Sequence, residues 1–277
     1  MRFLVRHWFP VASPGRCAAL ARSVAAFALL VTLSFVLARP VLAGSLTIAA
    51  AADLKFAMAE VVDHFRAGHP DDKVEVIYGS SGKFFTQIAN DAPFDLYFSA
   101  DIAYPRHLEE KGLTASETRP YALGRIVLWS LKPELAEVPL KALAGAPVRK
   151  FAIANPDHAP YGLRAKEALE HQGVWEALKP KLVLGENIAH TAQFVDSGAA
   201  DAGILALALV FSPTMEGKGA WTLIPAEWHE ALEQGYVILK RAADNPLAHT
   251  FADYMASEPA RVVMRRYGFV LPGEEGP

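Results

Sequence analysis

From Ser45 onward the sequence alternates short apolar runs with amphipathic ones, and the change of period repeatedly falls at small residues or turn formers. "SLTIAAA" reads as a strand. "DLKFAMAEVVDHF" reads as a helix, with Leu54, Met58, Val61, Val62 and Phe65 on one face. "KVEVIY" is a strand, "FFTQIAN" a helix, "DLYFSA" a buried strand and "YPRHLEEKG" a helix. A chain of strand–turn–helix units folds into mainly parallel sheets with helices on both faces. That pattern sets the fold class as α/β.

After "GRIVLWS" the series starts again with "KFAIANP", "YGLRAKEALEHQG", "KLVLG", "IAHTAQFVDSG" and "AGILA". Two runs of the series predict two lobes, with the last helices returning to the first. The expected division is 44–124 plus 241–277 for lobe 1 and 125–240 for lobe 2. The chain then crosses near Gly124–Leu128 and again near Tyr236–Lys240, both apolar extended stretches.

Residues 1–43 stand apart from this series. Five arginines and no acidic residue precede or flank the apolar run "VAAFALLVTLSFVLA", and "VLAG" offers small residues for cleavage after Ala43. These are the parts of a secretory signal peptide, so the mature protein is expected in the periplasm. Cys17 is the sole cysteine and lies ahead of the apolar run, which removes thiol chemistry, disulfides and a lipid anchor from the mature chain. Taking the leader's five arginines from the chain's 27 Lys and Arg leaves 22 against 30 Asp and Glu, a net charge of −8. Such a surface suits neither nucleic acid nor an anionic membrane. An anionic ligand would have to be held by local dipoles.

In open α/β sheets ligands bind beyond the carboxyl ends of the strands, where helix N-termini converge. Four loops qualify here: "AAAADLKF", "YGSSGKF", "ANPDHAPYGLRAKEAL" and "GENIAHTA", two to each lobe. Exposed N–H groups at a helix start, backed by the helix dipole, form an anion site. Each loop alone reads equally well as turn or cap chemistry. "GSSGKF" is not a phosphate-binding P-loop, having two residues between its glycines where four are needed and Phe84 where Ser or Thr is required. Enzyme signatures are absent: no G-x-S-x-G, no H-E-x-x-H and no paired-glycine dinucleotide fingerprint. The histidines are scattered without ligand spacing. His158 and His190 fall in the ligand loops, and Asp95 and Asp101 bracket a strand, where capping outweighs catalysis.

"TIAAAADLKFAM", "GSSGKFFTQIANDAPFDLYFSAD", "NPDHAPYGLRAKEALEHQGVWEALKPKLVLGENI" and the terminal "RRYGF" resemble the periplasmic molybdate-binding proteins of bacterial ABC importers, over nearly all of the mature sequence. The resemblance implies a type II periplasmic binding protein with its ligand in the interlobe cleft. It implies capture of molybdate, with tungstate, and delivery to a membrane permease driven by a cytoplasmic ATPase. It implies no enzyme activity and no cofactor or metal cage beyond the oxyanion's own metal. A monomer that closes about a hinge is expected.

Carried over residue by residue, the resemblance assigns Ser81 a hydroxyl and an N–H donor, and Tyr161 and Ile188 backbone N–H donors. Asp53 falls where relatives offer a neutral donor, and the tyrosine hydroxyl used by some relatives falls at Ala206. A carboxylate about 5 Å from a dianion costs on the order of 6 kcal/mol at an effective dielectric near 20. Asp53 is therefore expected to turn its carboxylate away, capping its helix and pairing with Lys83, while its N–H faces the ligand. Direct coordination of the metal centre by Asp53 is the other geometry. Sulfate or phosphate is the alternative ligand, and a secreted α/β hydrolase using Ser80 or Ser81 the alternative class.

Overall fold

The computed structural model describes residues 44–274. The leader and its cleavage site lie outside the described residues. Along the chain run β1 (Ser45–Ala51), α1 (Lys55–Gly68), β2 (Lys73–Gly79), α2 (Ser81–Ala89), β3 (Leu96–Ser99), α3 (Ala103–Glu110), β4 (Arg119–Gly124) and β5 (Ile126–Ser130). Then follow β6 (Phe151–Ala154), α4 (Pro160–His171), β7 (Leu182–Gly185), α5 (Ile188–Asp196), β8 (Ala202–Ala206) and β9 (Ala220–Leu223). The chain closes with β10 (Leu232–Ile238), α6 (Pro246–Tyr254) and α7 (Glu258–Arg266).

The strands form two five-stranded sheets, ordered β2-β1-β3-β10-β4 and β7-β6-β8-β5-β9. In the first sheet β1 pairs in parallel with β2 and β3, and β10 runs antiparallel between β3 and β4. The second sheet repeats the scheme, with β5 as the reversed strand between β8 and β9. Four strands of each sheet therefore point one way and one opposes them. The reversed strand is in each case the one that has just arrived from the other lobe. This two-lobed arrangement is the one that the doubled series implies.

The first crossing is the single residue Arg125 between β4 and β5, where the apolar extended stretch placed it. The second crossing lies earlier than Tyr236–Lys240, because the whole of Leu232–Ile238 belongs to the first sheet. The last strand of the 125–240 segment is thus a lobe 1 strand. Glu233, Gln234 and Gly235 interrupt its apolar run, so that only "GYVILK" carries a strand pattern, and the register shifts between Gln234 and Gly235.

Each lobe has its own core. Met58, Val61, Val62 and Phe65 of α1 are buried with Ile48, Leu96 and Phe98 of the first sheet, and Phe251, Val263 and Met264 of the terminal helices join them. In the second lobe Trp129, Phe151, Ile153, Ala165, Leu169 and Ile204 form the equivalent layer. At about 25 cal/mol per Å² of apolar area removed from water, cores of this kind supply the stability of a chain without disulfides.

Candidate functional site

β1, β2, β6 and β7 all end at the same cleft, and each hands the chain to a helix there. The Ala52–Leu54 3-10 turn leads into α1, while α2, α4 and α5 begin at Ser81, Pro160 and Ile188. The four loops line one cavity of roughly 10 Å³, with Asp53, Ser80, Ser81, Tyr161, Asn187 and Ile188 in its wall. That is about the space one water occupies, far below a pocket for a drug-sized ligand. A larger depression, beside Lys55, Phe56, Ala192 and Met215, has a mainly apolar wall and lies away from the helix starts of α2 and α4.

The first N–H groups of a helix have no partner inside it. Those of Ser81, Tyr161 and Ile188 donate to no protein acceptor among the described residues. The Ser81 hydroxyl oxygen accepts the Ala100 N–H at 3.0 Å, which leaves its own proton to donate. Tyr97 Oη donates to the Ser81 carbonyl at 2.7 Å and fixes the start of α2. All four residues carried over from the resemblance, Asp53, Ser81, Tyr161 and Ile188, thus meet at one cavity. Ala206 is fully buried at the end of β8 and is not among the residues of its wall.

Asp53 departs from expectation. It sits inside the 3-10 turn, so the N-cap of α1 falls on Leu54 and no side chain caps it. The residue is 1% exposed. Oδ2 accepts from Tyr161 Oη at 3.0 Å and from Gln234 Nε2 at 2.9 Å, while Oδ1 is buried without a hydrogen-bond partner. Burial pushes its pKa from 3.8 up to about 6, against the hydrogen bonds from Gln234 and Tyr161 and the nearby N–H dipoles of Asp53 and Leu54. The Asp53 N–H lies near its own carboxylate. Lys83 does not reach it. The ammonium instead meets Glu186 of the other lobe at 3.1 Å, both side chains about half exposed.

The lobes touch at further points that local sequence pattern does not reveal. Gly82 N–H donates to the His158 carbonyl at 2.9 Å, and Ser80 Oγ lies 2.5 Å from that carbonyl and 2.9 Å from His158 Nδ1. A single hydroxyl proton serves one acceptor. With the carbonyl accepting it, the imidazole carries its proton on Nδ1 and donates to Ser80. Burial first, and then the Lys83 ammonium, lower the pKa of His158. Arg164, almost buried, reaches Glu167 and Glu230 and lies 4.0 Å from Asp101 across the cleft. Gln234, absent from the sequence reading, donates to both Asp53 and Tyr161. Gly124 makes room for them, since a Cβ there would lie 2.4 Å from Tyr161 Oη.

Residues 46–270 match the family described as bacterial extracellular solute-binding protein. The chain is 36% identical over 233 residues to the molybdate-binding protein ModA of Azotobacter vinelandii, covering 83% of this chain and 91% of that one. It is 35% identical over 238 residues to ModA of Rhodobacter capsulatus, covering 84% and 91%. Among solved structures, the periplasmic molybdate-binding protein of Azotobacter vinelandii superposes with a TM-score of 0.77 at 33% identity, over 82% of this chain and 99% of that one. The sulfate-binding protein SubI of Mycobacterium tuberculosis shares the fold, with a TM-score of 0.68 at 13% identity over 83% and 88%.

Proposed function

The chain belongs to the bacterial extracellular solute-binding protein family, and on that premise we propose that it captures molybdate, and tungstate with it, for an ABC importer. The observation that carries this reading is the set of unpaired N–H groups of Ser81, Tyr161 and Ile188 with the Ser81 hydroxyl around one small cavity. Neutral donors aimed at one point suit a compact dianion, and each charge-assisted bond contributes roughly 1.5–3 kcal/mol. The relatives that match over most of their length bear the name molybdate-binding protein, which selects this dianion over sulfate or phosphate. The leader is removed after Ala43, and the protein works as a periplasmic monomer without a resident cofactor. Its partners are a membrane permease and a cytoplasmic ATPase. The new amine at Gly44 would lie against Asp72 Oδ1, which its nitrogen already meets at 2.6 Å.

Calorimetry and thermal shift with molybdate, tungstate, sulfate and phosphate on residues 44–277 test the reading. At a hundredfold excess over the dissociation constant, binding adds about 2.7 kcal/mol, or roughly 5–10 °C in Tm. Molybdate and tungstate should shift it alike. Sulfate is smaller, and fixed donors cannot follow a shrinking anion. Equal shifts with sulfate or phosphate would replace the molybdate reading by a general oxyanion binder.

The Ser80–His158 contact is the one observation that favours a hydrolase. A general base must accept the serine proton, yet Ser80 Oγ donates it to the His158 carbonyl, which leaves Nδ1 the donor of their contact. Hydrolysis of simple nitrophenyl esters, lost in Ser80→Ala, would restore the enzyme reading.

A further inference from the structure

One residue of the cavity wall carries a group that an anion site should exclude, a carboxylate. The Asp53 side chain is almost wholly buried in that wall, and its two oxygens are unlike. Oδ2 has two donors, Tyr161 Oη and Gln234 Nε2, and is saturated as an acceptor. Oδ1 is shielded from solvent and has no hydrogen-bond partner. A buried acceptor without a donor is costly, and a second negative charge placed beside it is costlier still.

One proton resolves both faults. On Oδ1 it converts the orphan acceptor into a donor and removes the charge, while Oδ2 keeps both its bonds. We propose that capture of the oxyanion is coupled to uptake of one proton, held between Asp53 Oδ1 and an oxygen of the bound anion. This deepens the oxyanion reading and rests on it. The balance is simple: free protein with ionised Asp53, plus dianion, plus one proton, gives the complex.

Burial favours the neutral acid and outweighs the donors around it, which favour the carboxylate. From α4 comes the Tyr161 phenol, from β4 the Tyr121 phenol and from β10 the uncharged Gln234. Both phenols have pKa values well above their ordinary range, through burial and the nearness of Asp53, so neither ionises at neutral pH. From the α2 start come the Ser80 and Ser81 hydroxyls, and from the α5 start the Asn187 amide. His158 faces Ser80, and the Lys83–Glu186 pair is about half exposed at the rim. Before any anion arrives, burial has already raised the Asp53 pKa to about 6, and a dianion alongside raises it further. Capture therefore strengthens as the exterior acidifies.

Isothermal titration of molybdate at pH 5.5 and 8, each in two buffers of different ionisation enthalpy, counts the protons. Wild type should take up close to one proton per molybdate at pH 8, and its affinity should fall about tenfold per pH unit between pH 7 and 9. Asp53→Asn keeps an acceptor for Tyr161 and Gln234 and presents a permanent N–H donor in place of Oδ1. It should take up no proton, show a flat profile and bind at least tenfold tighter than wild type at pH 8. Molybdate binding to wild type at pH 8 without proton uptake would overturn the proposal, as would an equal pH slope in the variant. Should the variant fail to fold, the wild-type proton count decides alone. If molybdate, tungstate, sulfate and phosphate all fail to bind at either pH, the oxyanion reading itself falls, and this proposal with it.

Discussion

Tyr161 of the second lobe donates its phenol to Asp53 of the first at 3.0 Å, and Gln234 ties the two together from the strand that returns between the lobes. The contact joins the two halves at the floor of the cleft, beside Gly124, where the chain first crosses. Tyr161 is thus more than a backbone donor. Tyr161→Phe should remove a bond to a carboxylate worth roughly 1.5–3 kcal/mol at pH 8. The effect should shrink at pH 5, where a protonated Asp53 depends less on donors. Urea unfolding at both pH values measures it, and an equal loss at the two would mean that the phenol matters for packing alone.

The raised pKa of Asp53 makes stability pH-dependent with a definite sign. The native state binds more protons than the unfolded chain between pH 3.8 and about 6. This group therefore stabilises the fold most below that window, and the contribution is lost as pH rises through it. A shift of about two units corresponds to on the order of 3 kcal/mol. Asp53→Asn lacks the titration, so unliganded variant and wild type should diverge by about that amount between pH 4 and 7.5, the variant being favoured at the higher pH. Parallel stability curves would show that Asp53 is solvated in the free protein.

The two serines of "GSSGKF" have different roles. Ser81→Ala removes a donor to the cavity and also strands the Ala100 N–H. Molybdate affinity should fall by roughly 1.5–3 kcal/mol. Ser80→Ala removes a link to His158 across the cleft and should weaken binding by about 1 kcal/mol, through closure. If Ser80→Ala proved the more damaging, the ligand would lie nearer α4 than the Ser81 geometry allows.

Much of this site was legible because its parts are local. A strand followed by small residues and then an amphipathic run marks a helix start, and the four loops so marked do converge. Asp53 was misread by the same local logic: an aspartate before a helix suggests a cap, but an intervening 3-10 turn moves the cap to Leu54. Gln234 escaped because "EQG" breaks the apolar run in which it is buried. Contacts between lobes left no local trace. Lys83 and Glu186 lie 103 residues apart, and no periodicity relates them.

That pair has a modest expected effect. Lys83 and Glu186 are about half exposed, and exposed ion pairs contribute about 0.2–1 kcal/mol. Lys83→Ala should weaken molybdate binding less than about fivefold, and the difference should vanish in high salt as screening removes the pair. A loss beyond tenfold that persists in salt would return Lys83 to the ligand.

Closure itself can be tested at Gly82, whose N–H meets the His158 carbonyl at 2.9 Å. A Cβ on residue 82 would lie 2.7 Å from that carbonyl and 2.8 Å from Tyr104 Oη. The tyrosine end can swing aside, whereas the carbonyl is backbone of the opposite lobe and moves only if the lobes part. Gly82→Ala should therefore leave the first lobe folded, because Ala suits a helix start better than Gly, and should act on closure alone. Molybdate affinity should drop by more than tenfold, about 1.4 kcal/mol. In small-angle scattering the wild type should become more compact with molybdate while the variant stays extended. A variant that compacts and binds like wild type would show that α2 and the α4 loop need not meet for the anion to be held.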